Sequence, residues 1–221
     1  MRVISPIQER ILHLFGEAEE SSSFYLTGGT ALAHFYLKHR KSNDLDFFTS
    51  MEELIEPFSR RLEEKLRSDG MAVERRRGVQ SFVELSAQQG SEATLIHLAQ
   101  DAPFRFEPTR TFPEYAGLNV DGLADIAPNK LLALFGRATL RDFIDVYTLI
   151  QEGHFRPDEL VEKAKQKDPG FDIYWLGVAF ERIQNFGPES PEMLLLLQPV
   201  TFEKLRSFFD QWRGDLVRKL Q

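Results

Sequence analysis

Apolar positions in the N-terminal half of the chain recur with two different periods, and their alternation outlines a small α/β layer. Ser5-Pro6-Ile7-Gln8 is a helix start: a hydroxyl to cap, a proline for the first turn and a glutamine to close a capping box. Ile7, Ile11, Leu12 and Phe15 follow at helical spacing, and Gly16 with the polar run after it ends the element. Phe24-Tyr25-Leu26 is a short β-type run that stops at Gly28-Gly29. Leu32, Phe35 and Tyr36 predict a helix, which gives way to the basic, polar stretch Lys38–Asn43. Asp44-Leu45-Asp46-Phe47-Phe48 predicts a second strand. Met51 to Ser68 reads as a helix with Leu54, Phe58, Leu62 and Leu66 on one side. Two more strands are predicted at Gln80–Ala87 and Ala93–Ala99, joined by the turn-like Gln88-Gln89-Gly90-Ser91.

The pattern changes after that hairpin. Pro103 to Gly122 is rich in Pro, Gly and aromatic residues and reads as a connection. From about Ile126 the periodicity is helical almost throughout. Phe202, Leu205, Phe208, Phe209, Trp212 and Leu216 give the last segment an amphipathic face. The expected architecture is α+β: an α/β domain over residues 1–122 and a helical domain over 123–221.

Composition narrows the chemistry. With 221 residues, 42% of them hydrophobic, the chain can bury a real core. Its formal net charge of −7 does not attract nucleic acid as a whole, so a polyanion must be held by a local cluster of Lys and Arg. The absence of cysteine excludes disulfides and Cys-ligated zinc or iron–sulfur centres. MRVISPIQER has no signal-type apolar run, and the longest apolar stretch, Met193–Leu197, is far too short for a bilayer. A soluble, cytoplasmic protein without membrane partners is the expectation.

Asp44 and Asp46 lie two apart on a predicted strand, so both side chains leave one face while Leu45 points the other way. Adjacent carboxylates repel unless a cation sits between them, and Mg²⁺ is commonly held by one or two carboxylates plus substrate phosphates. A second ion roughly 3.5–4 Å away would complete a site for in-line phosphoryl or nucleotidyl transfer. A lone D-x-D is common, and by itself it is no more than a strand entering a polar loop. The loop upstream adds weight. Gly28 and Gly29 leave a strand and open a helix whose first side chain is Thr30; glycines let backbone approach a phosphate, and the helix start supplies free N–H groups. The plain alternative is a tight turn with Thr30 as a cap.

The stretch YLTGGTALAHFYLKHRKSNDLDFF closely resembles the first motif of the AbiEii/AbiGii toxin-type nucleotidyltransferase-like family, within the polymerase-beta-like nucleotidyltransferase superfamily. The match takes in Gly28, Gly29, Thr30, His39, Arg40, Ser42 and the whole D-L-D-F-F. Asn129 to Arg137 resembles the family's K-L-x-A-L…R helix, and Arg141-Asp142-Phe143-Ile144-Asp145 resembles its K-D-x-x-D-L segment with Arg for Lys. The resemblance implies a mixed sheet with flanking helices, followed by a helical half. It also implies nucleotide binding at Gly28, Gly29, Thr30 and Ser42, Lys130 and Arg137 near the nucleotide phosphates, and Asp145 in the catalytic cleft. Lys130 and Arg137 are seven apart, so one helix would show both on one face. Thr139 with Asp142 is equally a helix cap and capping-box pair.

One departure stands out. Family members with transferase activity carry K-x-D on the later strand, and the corresponding stretch here is Thr94-Leu95-Ile96-His97-Leu98. Leu95 stands for the lysine and His97 for the third carboxylate. His97 is therefore a third metal-ligand candidate beside Asp44 and Asp46, or a hydrogen-bonded core residue; Glu84 and Asp101 are substitute carboxylates. The run Glu74-Arg75-Arg76-Arg77 is either a landing patch for a polyanion or a solvated strand end or loop, and Tyr115 and Phe112 either stack on a base or cover a core edge.

The functional expectation is a nucleotidyltransferase that uses Mg²⁺ (or Mn²⁺) and an NTP. Asp44, Asp46 and Asp145 would be its catalytic carboxylates. The resemblance implies an RNA acceptor such as a tRNA end, a toxin role and a cognate antitoxin protein. The alternative is a degraded homologue that binds nucleotide or a protein partner without turnover.

Overall fold

The computed structural model describes residues 2–219, and the chain falls into two compact units. The first comprises residues 1–36 and 41–123. The second comprises residues 37–40 and 124–221. The expected cut at 122/123 has no counterpart for residues 37–40, which pack with the second unit although they lie within the first unit's stretch of chain.

The first unit is a seven-stranded mixed sheet with helices. In chain order it holds α1 (Pro6–Gly16), β1 (Tyr25–Thr27), α2 (Gly28–Ala31, running on as π-helical turns Leu32–Leu37), β2 (Asp44–Thr49), α3 (Glu52–Ser68), β3 (Ala72–Val79), β4 (Phe82–Gln89), β5 (Glu92–Gln100), β6 (Arg110–Thr111) and β7 (Asn119–Val120). The strands are ordered β3-β4-β5-β2-β1-β7-β6. β2 runs parallel to β5 and antiparallel to β1, which itself runs parallel to β7. α1 begins as its sequence predicts: Gln8 accepts from the Ser5 N–H at 3.0 Å, and Ser5 accepts from the Gln8 N–H.

Period two is strict in the central strands. Leu45 and Phe47, Val83, Leu85 and Ala87, and Ile96 and Leu98 are fully buried on one face, against which α1 and α3 pack. Phe15 of α1 lies flat on Phe47, with ring centroids 3.7 Å apart. The alternate residues, Asp44, Asp46 and Phe48, Phe82, Glu84 and Ser86, and Leu95, His97 and Ala99, stay half-exposed on the other face. Over β2, β4 and β5 one face is closed by apolar packing, and the carboxylates of β2 stand on the other, half-exposed one.

Three strands escaped the sequence pattern. β6 and β7 are two residues each, too short to show a period. β3 takes in Glu74-Arg75-Arg76-Arg77, so the basic run is a full edge strand. α3 buries Ile55 with Phe58, Leu62 and Leu66, and Leu54 is only half-buried.

The second unit is helical: α4 (Leu123–Gly136), α5 (Leu140–Gln151), α6 (Pro157–Lys167), α7 (Ile173–Glu181) and α8 (Phe202–Lys219). The amphipathic face of α8 buries Phe202, Leu205, Phe209, Trp212 and Leu216, and Phe209 meets Phe143 and Phe180 at 4.8 and 5.0 Å. Residues 37–40 are tied in by the Leu197 N–H, which donates to the His39 carbonyl at 2.8 Å. Among the described residues, no helix is long and apolar enough to cross a membrane.

Candidate active site

The strand register assembles a polar row across the open face of the first unit. Thr27 of β1 lies opposite Asp46, Asp46 opposite His97, His97 opposite Glu84, and Glu84 opposite Arg77. Directly opposed residues share a face, so one line of side chains crosses five strands. His97 is held between two carboxylates: its Nδ1 is 2.8 Å from Asp46 Oδ1 and its Nε2 is 3.4 Å from Glu84 Oε2. The Asp46 hydrogen bond raises the imidazole pKa, against the opposing pull of burial. Thr27 continues the row toward Asp121, donating from Oγ1 at 2.7 Å; Asp121, almost fully buried, also pairs with Arg105. Sequence alone gave no signal for Asp121, because it sits in the Pro- and Gly-rich connector.

The glycine pair meets this row at Asp46. Gly28 has φ +71°, and a Cβ added there would stand 2.3 Å from Asp46 Oδ2. The left-handed backbone and the nearby carboxylate both demand glycine. Thr30, fully buried, donates its hydroxyl proton to the Asp44 carbonyl, so its side chain pins the loop to β2. Ser42, also buried, hydrogen-bonds through its N–H to the Val3 carbonyl at 3.2 Å and lines a cavity of about 320 Å³ with Lys41 and Glu92.

The other predicted site residues lie in the second unit, around Asp145. This carboxylate of α5 is fully buried and carries four contacts: Arg40 Nε at 2.6 Å, Arg40 Nη2 at 2.8 Å, His39 Nε2 at 2.7 Å and Lys130 Nζ at 2.9 Å. Burial by itself would raise the Asp145 pKa; Arg40 and Lys130 outweigh it and hold the carboxyl well below its ordinary value. His39 faces a carboxylate oxygen with Nε2, so that nitrogen carries the proton. His39 and Arg40 were visible as motif members, but nothing local linked them to a residue about a hundred positions later.

Arg137 stands at the C-terminal end of α4, seven positions after Lys130, where its N–H still donates to the Ala133 carbonyl at 2.9 Å. It forks onto Asp142 at 2.9 and 2.8 Å. Asp142 also accepts from the Thr139 hydroxyl at 2.6 Å and the Thr139 N–H at 3.2 Å, closing the capping box of α5. Of the substitute carboxylates, Glu84 stands in the polar row and Asp101 accepts from the Tyr25 hydroxyl. Tyr115 and Phe112 pack around Phe35, at 5.3 and 4.6 Å, which is the core-edge role.

Residues 10–218 match the family model described as Nucleotidyl transferase AbiEii toxin, Type IV TA system. The chain belongs to this family. An uncharacterised Aquifex aeolicus (strain VF5) protein, aq_aa25, is 29% identical over 216 residues, 95% of each chain. The AbiEii-family chain also shares its fold with two Helicobacter pylori crystal structures. JHP933 matches with TM-score 0.58 and 19% identity over 97% of this chain and 90% of its own. A candidate nucleotidyltransferase matches with TM-score 0.59 and 21% identity over 97% and 94%. The α+β class, a mixed sheet with flanking helices followed by a helical part, agrees with the sequence expectation.

A divalent cation is implied by the family, and the donor set of this AbiEii chain bears on it. Among the described residues, no three or more His, Cys, Asp or Glu side chains form a ready-made metal cage. Asp44 and Asp46 on one face fit an ion that takes two carboxylates and completes its shell with phosphate oxygens and water. His97 turns one nitrogen to Asp46 and the other toward Glu84, the geometry of a ligand's neighbour.

Proposed function

We propose that this chain is a metal-dependent nucleotidyltransferase and the toxin component of a type IV toxin–antitoxin pair. The observation that carries the reading is the meeting of the Gly28 backbone with the Asp46 carboxylate, on the open face of the sheet and beside Asp44. A phosphate taken by the Gly28 and Gly29 N–H groups would lie next to two carboxylates there, the arrangement that brings an NTP to a cation.

In this reading an acceptor oxygen attacks the α-phosphorus of the NTP, the bond to pyrophosphate breaks, and the acceptor proton passes to solvent or a nearby carboxylate. Bound Mg²⁺ or Mn²⁺ would supply Lewis-acid stabilisation of the phosphoryl oxygens. Asp44 and Asp46 would hold the ion. Gly28, Gly29 and the Thr30 turn hold phosphates, with Ser42 at the approach. His97 fixes the Asp46 carboxylate by hydrogen bonding and is not counted as a ligand. Asp145 touches no solvent and serves as a positioning residue for Lys130 and Arg40. The acceptor in this reading is an RNA such as a tRNA end, and the partner is a cognate antitoxin protein.

The test is a transfer assay with each α-³²P-labelled NTP, Mg²⁺ or Mn²⁺ and total tRNA, comparing wild type with Asp46→Ala. Label in RNA only with wild type is the expected result. No label with any metal and nucleotide would overturn the reading. One observation favours a second reading: His97 stands in register with Asp46 where a third carboxylate is expected. A chain that binds NTP by calorimetry and never transfers label would be the degraded homologue that this substitution describes.

A further inference from the structure

The polar row ends at an edge strand whose three arginines have separate fates. Arg75 pairs with Leu85 and Arg77 with Glu84, so Arg76 is the extra residue of a β-bulge. Without the bulge, Arg75 and Arg77 would share a face. With it, Arg75 turns to the helix side, where Glu63, Glu56 and the Ser59 hydroxyl take its guanidinium at 2.8, 2.8 and 2.7 Å. Arg77 opposes Glu84 and lies over the ring of Phe82, its guanidinium carbon 5.5 Å from the ring centroid. Phe82 is half-exposed, and the His97 ring lies 5.7 Å from it at 31°. Arg76 and Arg77 are exposed, and they line a cavity of about 420 Å³ on the same edge with Arg60 and Arg75 against one lining carboxylate, Glu56. This is a local concentration of positive charge in a chain of net charge −7.

In-line displacement requires the acceptor to approach the phosphorus from the side opposite the leaving pyrophosphate. With phosphates at Gly28–Gly29, beside β1, the approach lies over β5, β4 and β3, because β1 and β5 flank β2 on opposite sides. This placement rests on the transferase reading above. The surface met on that side is an aromatic plane with a cation over it, followed by exposed arginines. Stacking on a π-face beside a basic track is how single-stranded nucleic acid is bound without base-edge readout.

We infer that the β3–β4 hairpin is the acceptor subsite and that its ligand is the end of a single-stranded polynucleotide, with the terminal base stacked on Phe82 and the adjoining phosphates on Arg77 and Arg76. The bulge at Arg76 makes the subsite, since it turns Arg77 away from the acids that hold Arg75.

The test is fluorescence anisotropy of a labelled single-stranded RNA oligomer titrated with the full chain, in EDTA and without NTP, over a range of salt. Wild type binds. Phe82→Ala weakens binding by about tenfold or more, Phe82→Trp retains it, and Arg77→Gln lowers the salt slope by about 0.7. NTP binding, followed by calorimetry, is the same in all three variants. Wild-type affinity in both Phe82→Ala and Arg77→Gln would overturn the subsite, as would no oligomer binding by the wild type, which would point to a protein or small-molecule acceptor. Intact oligomer binding with no transfer of label would count against the transferase reading and leave the subsite standing. Transfer to a non-nucleic acceptor with no oligomer binding would do the reverse.

Discussion

Two carboxylates of this chain, Asp46 and Asp145, come from motifs that the sequence presents as equals, yet the structure treats them in opposite ways. Asp46 is partly open, on the half-exposed face of β2, with one oxygen on His97 and the other against the Gly28 backbone. Asp145 has no exposure, and Arg40, Lys130 and His39 surround it. An open carboxylate keeps lone pairs for a ligand, whereas a buried one must satisfy them internally or become costly. The first arrangement is suited to meeting a substrate and the second to holding other side chains in place.

Substitution of each carboxylate should separate these roles. Asp46→Ala is expected to reduce transfer about a thousandfold, the worth of several kcal/mol of transition-state stabilisation, while shifting the urea-unfolding free energy by less than about 1 kcal/mol. A variant that transferred label at the wild-type rate would end the comparison. Asp145→Asn should do the opposite. It leaves Arg40 and Lys130 buried without their counter-charge, at a cost of about 3–5 kcal/mol in the same urea experiment.

Acid unfolding sharpens that second expectation. A carboxyl depressed in the folded state binds protons more readily when unfolded. Its stabilisation is present above the unfolded value of about 3.9 and is lost as pH falls from there toward the lower folded value. Wild-type stability should fall steeply below about pH 4, and Asp145→Asn should lack that part of the slope. An unchanged slope in the variant would mean that Asp145 is not the depressed group.

Gly28→Ala tests the open site from the backbone side. An alanine at φ +71° costs about 1–2 kcal/mol, and its Cβ would have to displace the Asp46 carboxylate. Reduced stability together with reduced transfer is expected; full transfer would show that the close approach is unimportant. The smallest effect is a control in the second unit. Asp172 caps α7, accepting from the Tyr174 and Trp175 N–H groups at 2.8 and 3.2 Å. Asp172→Ala should cost about 1 kcal/mol with transfer unchanged at temperatures where the chain is folded.

Much of this was legible in the residues. Period two over β2, β4 and β5 and helical spacing over α1, α3 and α8 follow from which side chains can be buried together, and that is written locally. The Gly28-Gly29 turn and the Asp44/Asp46 pair were legible for the same reason, since neighbours along the chain define them. The Arg137–Asp142 fork was not legible, because it joins the end of α4 to the cap of the next helix and helical spacing carries no sign of that. The basic run stayed open between two readings because a bulge leaves no local mark: Arg75-Arg76-Arg77 reads the same whether its cations share a face or divide between two.

The sequence by itself determined the longer helices and the central strands, the family motifs and the residue types at the site, because each depends on a few adjacent positions. Tertiary structure alone decided which charges meet. It set His97 between Asp46 and Glu84, gave Arg75 its acids while turning Arg77 onto Phe82, and buried Asp145 with Arg40 and Lys130. Strand register and burial fix those pairings between residues far apart in the chain, and the electrostatic consequence of each depends on how much water remains around it.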